Sequence, residues 1–207
     1  MTNLLVRGGP VMIPIIALSV VALAIVFERV RALRGARLDL PAFATRVFGL
    51  LRAGDAAGAL AACDDARHPI GGVFAEGIRH RGLPREQLER LMERAGEAGV
   101  HELGRHLRVL LVIVGVEPML GFLGTITGLI RAFMAWEELG TRVTVGTLAG
   151  GIYEAMITTA AGLIVAIPHY LAYHLIAGRI QDHARATGLW GERLLDLLTV
   201  PRAGSRP

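Results

Sequence analysis

The chain has 207 residues and not one lysine; all 22 of its basic side chains are arginine. That removes the P-loop lysine, Schiff-base chemistry and any kinase-like site. Serine occurs only at Ser19 and Ser205, neither inside a Gly-x-Ser-x-Gly elbow. Cys63 stands alone, so no intrachain disulfide and no cysteine metal cluster can form. The seven histidines show neither His-x-x-x-His nor His-Glu-x-x-His spacing. Aromatic residues make up 5% of the chain and charged residues 19%. We therefore expect no enzyme, no bound metal and no cofactor.

What is present is apolar. Hydrophobic residues reach 53%, against about 45–50% in a soluble domain, and they are concentrated in runs. Residues 8–27 carry no Asp, Glu, Lys or Arg; residues 109–130 are interrupted only by Glu117, and residues 143–178 only by Glu154. A bilayer core of roughly 30 Å needs about 20 such residues in a helix. Three segments meet that length, which predicts an all-α integral membrane protein with three transmembrane helices.

The arginines set the expected orientation. Arg29, Arg31, Arg34 and Arg37 follow the first span, Arg105 and Arg108 precede the second, and Arg179 and Arg185 follow the third. Basic residues near spans favour the cytoplasmic side, which places the N-terminus outside and the C-terminus inside. The expected layout is a short outer segment at 1–9 and spans at 10–28, 107–134 and 148–178. A cytoplasmic helical domain at 29–106, an outer loop at 135–147, a cytoplasmic helix at 179–200 and a disordered tail at 201–207 complete it. Ala22-Leu23-Ala24 superficially resembles a signal-peptide cleavage site, but one arginine precedes the apolar run and four follow it, the reverse of the usual order. The sequence pI near 10.2 reflects these flanking arginines; lipid, and no nucleic acid, is the partner they predict.

Asp39 and Asp55 are placed to cap short cytoplasmic helices. His68-Pro69 and Gly71-Gly72 predict breaks, with a further segment from about Val73 to His80. From Pro84 a helical stripe runs through Leu88, Met92 and Leu103 with no later proline before the second span, which predicts one helix entering the membrane unbroken. The third span is likewise expected to continue through Arg179 to about Leu198. The architecture expected is long helices extending from the membrane into the cytoplasm.

Charge inside the spans is where function is sought, since a carboxylate at mid-bilayer costs at least about 2.5 kcal/mol and usually faces a cavity or a partner. If spans two and three are antiparallel, Thr125 lies level with Ile157, Glu154 with Gly128, and Glu117 with Val165 or Ala166. Thr125, Thr158, Thr159 and Glu154 then occupy adjoining levels, a polar lining suited to ion transit. The alternative is a buried carboxylate that only joins helices, beside threonines bonded to their own backbone. Arg131 falls about one turn outward of Glu154, in reach of an ion pair or gate. Gly121, Gly124, Gly128 and Gly162 allow close helix contact.

The run Glu117-Pro118-Met119-Leu120-Gly121-Phe122-Leu123-Gly124-Thr125-Ile126-Thr127-Gly128-Leu129-Ile130-Arg131-Ala132-Phe133 resembles the second-span signature of the MotA/TolQ/ExbB proton-channel family. The run from Leu148 through Glu154 to Ile167-Pro168 resembles its third-span signature, and the likeness covers almost the whole chain. With three spans it looks closer to ExbB/TolQ than to the four-span flagellar stators. The resemblance implies that Glu154 is the third-span carboxylate, Thr159 the pore threonine and Thr125 its second-span counterpart. It implies a pentameric ring in the bacterial inner membrane around a dimer of a single-span protein resembling ExbD or TolR. It further implies that the proton-motive force does work across the periplasm, through a TonB-like or TolA-like protein. The competing reading is a structural scaffold of an envelope or secretion complex that passes no ions.

Two positions depart from the family pattern. Ala-Pro is replaced by Glu117-Pro118, and Ile-Pro-Ala by Ile167-Pro168-His169. By the register above, Glu117 can reach His169, and the two are expected to form a polar pair. From the residues alone, a staple between helices is the favoured role and an inner proton relay the other.

Overall fold

A computed structural model describes residues 7–199, and those residues form helices and turns with no strand. The expected tail at 201–207 and most of the expected outer segment at 1–9 lie outside them. In chain order the helices are α1 (Met12–Gly35), α2 (Leu40–Arg52), α3 (Ala56–Asp64), α4 (Pro69–Arg79), α5 (Arg85–Leu103), α6 (Leu107–Leu139) and α7 (Val145–Thr199). A 3-10 turn at Gly140–Arg142 precedes α7. The chain divides into two units: residues 7–28 with 106–175, and residues 29–105 with 176–199.

In the second unit the capping residues act as their chemistry predicts. The Asp39 carboxylate accepts the Ala42 N–H at 3.1 Å and Asp55 accepts the Gly58 N–H at 2.8 Å, each satisfying a donor the helix cannot. Phe43, Val47, Ile70, Phe74, Ile78, Leu88, Met92 and Leu194 form one buried core. Phe74 lies against both Phe43 and Phe48, at centroid distances of 5.5 and 5.8 Å.

Two expectations are corrected here. Gly71-Gly72 does not break the chain: α4 starts at Pro69 and runs straight through both glycines. A Cβ on Gly71 would lie 2.6 Å from the Cys63 carbonyl oxygen, so glycine serves close packing there. The helix from Pro84 does not enter the second span unbroken. α5 ends at Leu103, Gly104 caps it, and His106 takes a left-handed backbone at φ 61° before α6 begins. Left-handed geometry at a non-glycine costs roughly 1–2 kcal/mol, so no propensity rule places it there. The His106 ring bonds Glu28 at 3.1 Å.

His68 opens α4 by accepting the Ile70 N–H on its Nδ1 at 3.1 Å. Its ring proton therefore sits on Nε2, 2.7 Å from His183 Nδ1, and both rings are neutral. Burial, and then the His183 ring, push the His68 pKa from 6.5 down to about 4. Burial also lowers that of His183, with Asp182 opposing and Arg179 adding to the shift. The unfolded chain thus takes up a proton at pH 6.5 that folded His68 refuses until about pH 4. Stability from this site is full above pH 6.5 and is lost as the pH falls through that window, by an amount on the order of 2 kcal/mol. Thermal melts of the solubilised protein should fall between pH 7.5 and 5, and His68→Asn, which keeps a capping oxygen, should flatten the slope. Equal slopes in the two proteins would refute the assignment.

The first unit holds the apolar helices. α1, α6 with the following turn, and α7 are each long and apolar enough to cross a membrane, and most of each apolar stretch is not buried within the chain. Most of the apolar surface faces outward, as at Ile13, Phe122 and Ile164. Such a surface is unsuited to water and at home in hydrocarbon. Ala22 and Ile25 of α1 pack with Leu110, Ile113 and Val114 of α6.

Candidate functional site

The site rests on a glycine seam between α6 and α7. A Cβ on Gly128 would stand 2.6 Å from the Gly151 oxygen and 2.7 Å from the Ala155 nitrogen. One on Gly162 would stand 2.8 Å from the Glu117 oxygen, and one on Gly121 3.0 Å from the Thr158 oxygen. Backbone therefore touches backbone along the seam, as small residues permit in spans. These contacts set the register, and it matches the antiparallel levels expected from the sequence. Gly124 completes the seam under Thr158, which is fully buried.

Within that register Thr125 Oγ1 and Thr159 Oγ1 meet directly. The Gly121 carbonyl lies 3.2 Å from Thr159 Oγ1 and the Ala155 carbonyl 3.2 Å from Thr125 Oγ1, so one hydroxyl donates to the other, which in turn donates to its carbonyl. Thr158 uses its hydroxyl within its own helix, on the Glu154 and Ala155 carbonyls at 2.9 and 3.0 Å.

Glu154 sits one turn before Thr158 on α7 and is 6% exposed. Its Oε2 accepts from Arg131 Nη1 at 2.7 Å, while its buried Oε1 has no hydrogen-bond partner among the described residues. Arg131 is half-exposed at 52%, so one end of this pair reaches the surface of the unit and the other does not. The turn before α1 completes the enclosure. Gly9 adopts φ 68° against the Glu154 side chain, where an added Cβ would come within 2.7 Å of Cδ. Sequence reasoning missed this contact. The Gly8-Gly9-Pro10 turn at the head of a span was its only available signal.

Glu117 and His169 form a second buried polar point further along the seam. His169 Nδ1 lies 3.1 and 3.2 Å from the two Glu117 oxygens, with side-chain exposures of 9% and 0%. Beyond it, the His174 ring meets Tyr170 and Tyr173 at centroid distances of 4.4 and 5.1 Å. Among the described residues no three His, Cys, Asp or Glu side chains converge as a metal site.

The arrangement offers a buried carboxylate paired with a half-exposed arginine, two hydroxyls in contact, and a carboxylate–imidazole pair, all on two packed spans. Residues 65–187 match the sequence profile of the MotA/TolQ/ExbB proton channel family. A biopolymer transport protein ExbB homolog of Methanothermobacter thermautotrophicus is 32% identical over 176 residues, 84% of this chain and 62% of its own length. This chain thus spans less than two thirds of that relative. A biopolymer transport protein ExbB-like 3 of Synechocystis is 31% identical over 162 residues, 77% of each chain. The Tol-Pal system protein TolQ of Pseudomonas aeruginosa is 27% identical over 180 residues, 82% of this chain and 78% of its own length.

Proposed function

The chain belongs to the MotA/TolQ/ExbB proton channel family, and from that premise we propose that it is the ring-forming subunit of an inner-membrane, proton-driven motor. Five copies surround a dimer of an ExbD/TolR-like single-span protein, and the complex energises outer-membrane transport or envelope maintenance. The N-terminus faces the periplasm, where a TonB-like or TolA-like protein receives the work. The residues at 29–106 and the end of α7 face the cytoplasm.

The observation that carries this reading is Glu154, a buried carboxylate held by one half-exposed arginine beside the Thr125–Thr159 pair. In the unloaded state Arg131 neutralises Glu154 at 2.7 Å. An arriving proton binds the free Oε1, removes the charge and releases Arg131. The carboxyl can then hand its proton toward Thr125 and Thr159, with Thr158 holding the seam at their side. One proton crossing 100 mV yields about 2.3 kcal/mol. That energy can reposition a carboxylate, but a mechanical load needs repeated steps.

Native mass of the complex, extracted gently from its own membrane, tests the assembly. Five copies with two of a small single-span protein are expected. A monomer, a dimer or a partnerless ring would overturn the motor reading and favour a scaffold.

A further inference from the structure

Resting on that reading, we propose that Glu117 and His169 form a second proton-binding station on the inner side of the threonine pair, through which the conducted proton passes. A staple is the competing account, and the seam makes it redundant. The helices are already in backbone contact at Gly162 against Glu117 and at Gly121 against Thr158 and Thr159. A buried ion pair is weak support for stability, because desolvation offsets its attraction. Glu117 is also under-used as a structural acceptor: both of its oxygens converge on a single imidazole nitrogen, although a carboxylate can take about four hydrogen bonds.

The surroundings isolate the pair. α1 contributes no titratable side chain between Met12 and Phe27. Along α6, apart from Glu117 itself, the nearest are Arg108 and Arg131, each more than two turns away. On α7 the nearest groups inward are Tyr170, Tyr173 and His174. Tyr173 lies one turn beyond His169 on the same face, and its ring meets His174 edge-on at 5.1 Å. A proton leaving His169 inward thus has two polar rings ahead of it.

The protons balance as follows. The proposed cycle begins with a Glu117 carboxylate beside a His169 ring protonated on both nitrogens, a pair of no net charge. The Nε2 proton departs inward, and a proton from the outer side adds to a Glu117 oxygen. Rotation of the imidazole presents its bare nitrogen to the carboxyl, which passes the proton across. Only O–H and N–H bonds form or break, one proton enters, and one leaves.

The test is proton flux through the complete complex in sealed vesicles, comparing wild type, Glu117→Gln and the apolar double variant Glu117→Leu/His169→Leu. Glutamine keeps a hydrogen bond to His169 but cannot carry the proton, and the leucine pair keeps the packing. Assembled complexes of either variant should lose at least tenfold in flux, within the range a positioned acid–base group contributes. Flux within twofold of wild type in either variant overturns the relay and leaves the Glu154 reading intact. If neither variant assembles, the pair is a structural requirement and the relay is likewise overturned. A wild-type complex that passes no protons overturns both readings, whereas loss in Glu154→Gln alone upholds only the first.

Discussion

Glu154→Gln should give a complex that assembles in full and performs no proton-driven work. The substitution keeps shape and volume, and an amide still accepts a hydrogen bond from Arg131 through its oxygen. What it removes is the charge and the ability to bind and release a proton. Glu154 is 6% exposed and is held by Arg131, which is itself half-exposed, so loss of the charge gives up one partly water-screened ion pair. Burying a neutral amide costs less than burying a carboxylate, which offsets the lost ion pair, and a melting temperature close to that of wild type is expected. The measurement pairs native mass with the envelope or uptake phenotype of the variant strain. Assembly at the wild-type level with the phenotype of a complete deletion is the predicted result. Wild-type performance by the amide would show that Glu154 carries no proton.

The second large effect is structural. Gly128→Leu should prevent α6 and α7 from packing. The Cβ alone would overlap the Gly151 oxygen and the Ala155 nitrogen at 2.6 and 2.7 Å, and both are backbone atoms that no rotamer change can move aside. Overpacking a close-packed interior costs about 1–3 kcal/mol and sometimes more; here the helices must separate, so the upper end or beyond is expected. Gly115→Leu is the control, since a Cβ there meets nothing within 4 Å. Comparison of yield and thermal stability should show Gly128→Leu largely lost and Gly115→Leu close to wild type. A Gly128→Leu protein melting within about 3 °C of wild type would mean that the seam is not built as described.

The two effects separate what a carboxylate does from what a glycine does, and the sequence carried them unequally. The apolar runs are legible because their length is set by the bilayer and their charge is nearly absent. Asp39 and Asp55 are legible because capping is local: acceptor and donor lie three residues apart. The level of Glu154 with Gly128 followed from antiparallel geometry alone. The break at His106 was hidden because its cause is not local propensity; a left-handed histidine bonded to Glu28 reflects the placement of α6 against α1. Gly71-Gly72 misled for the opposite reason. Glycine pairs usually end helices, whereas α4 uses one to approach the Cys63 carbonyl. The Gly9 contact with Glu154 and the His68–His183 bond join residues far apart in the chain. Neither leaves a pattern in a single sequence.

Proton flux through the purified complex, with its single-span partner and in sealed vesicles under an imposed membrane potential, tests the central claim most directly. Wild type should pass protons down the potential, and Glu154→Gln of the same native mass should not. An intact wild-type complex that stays proton-tight, or one whose flux survives the loss of Glu154, would contradict the account.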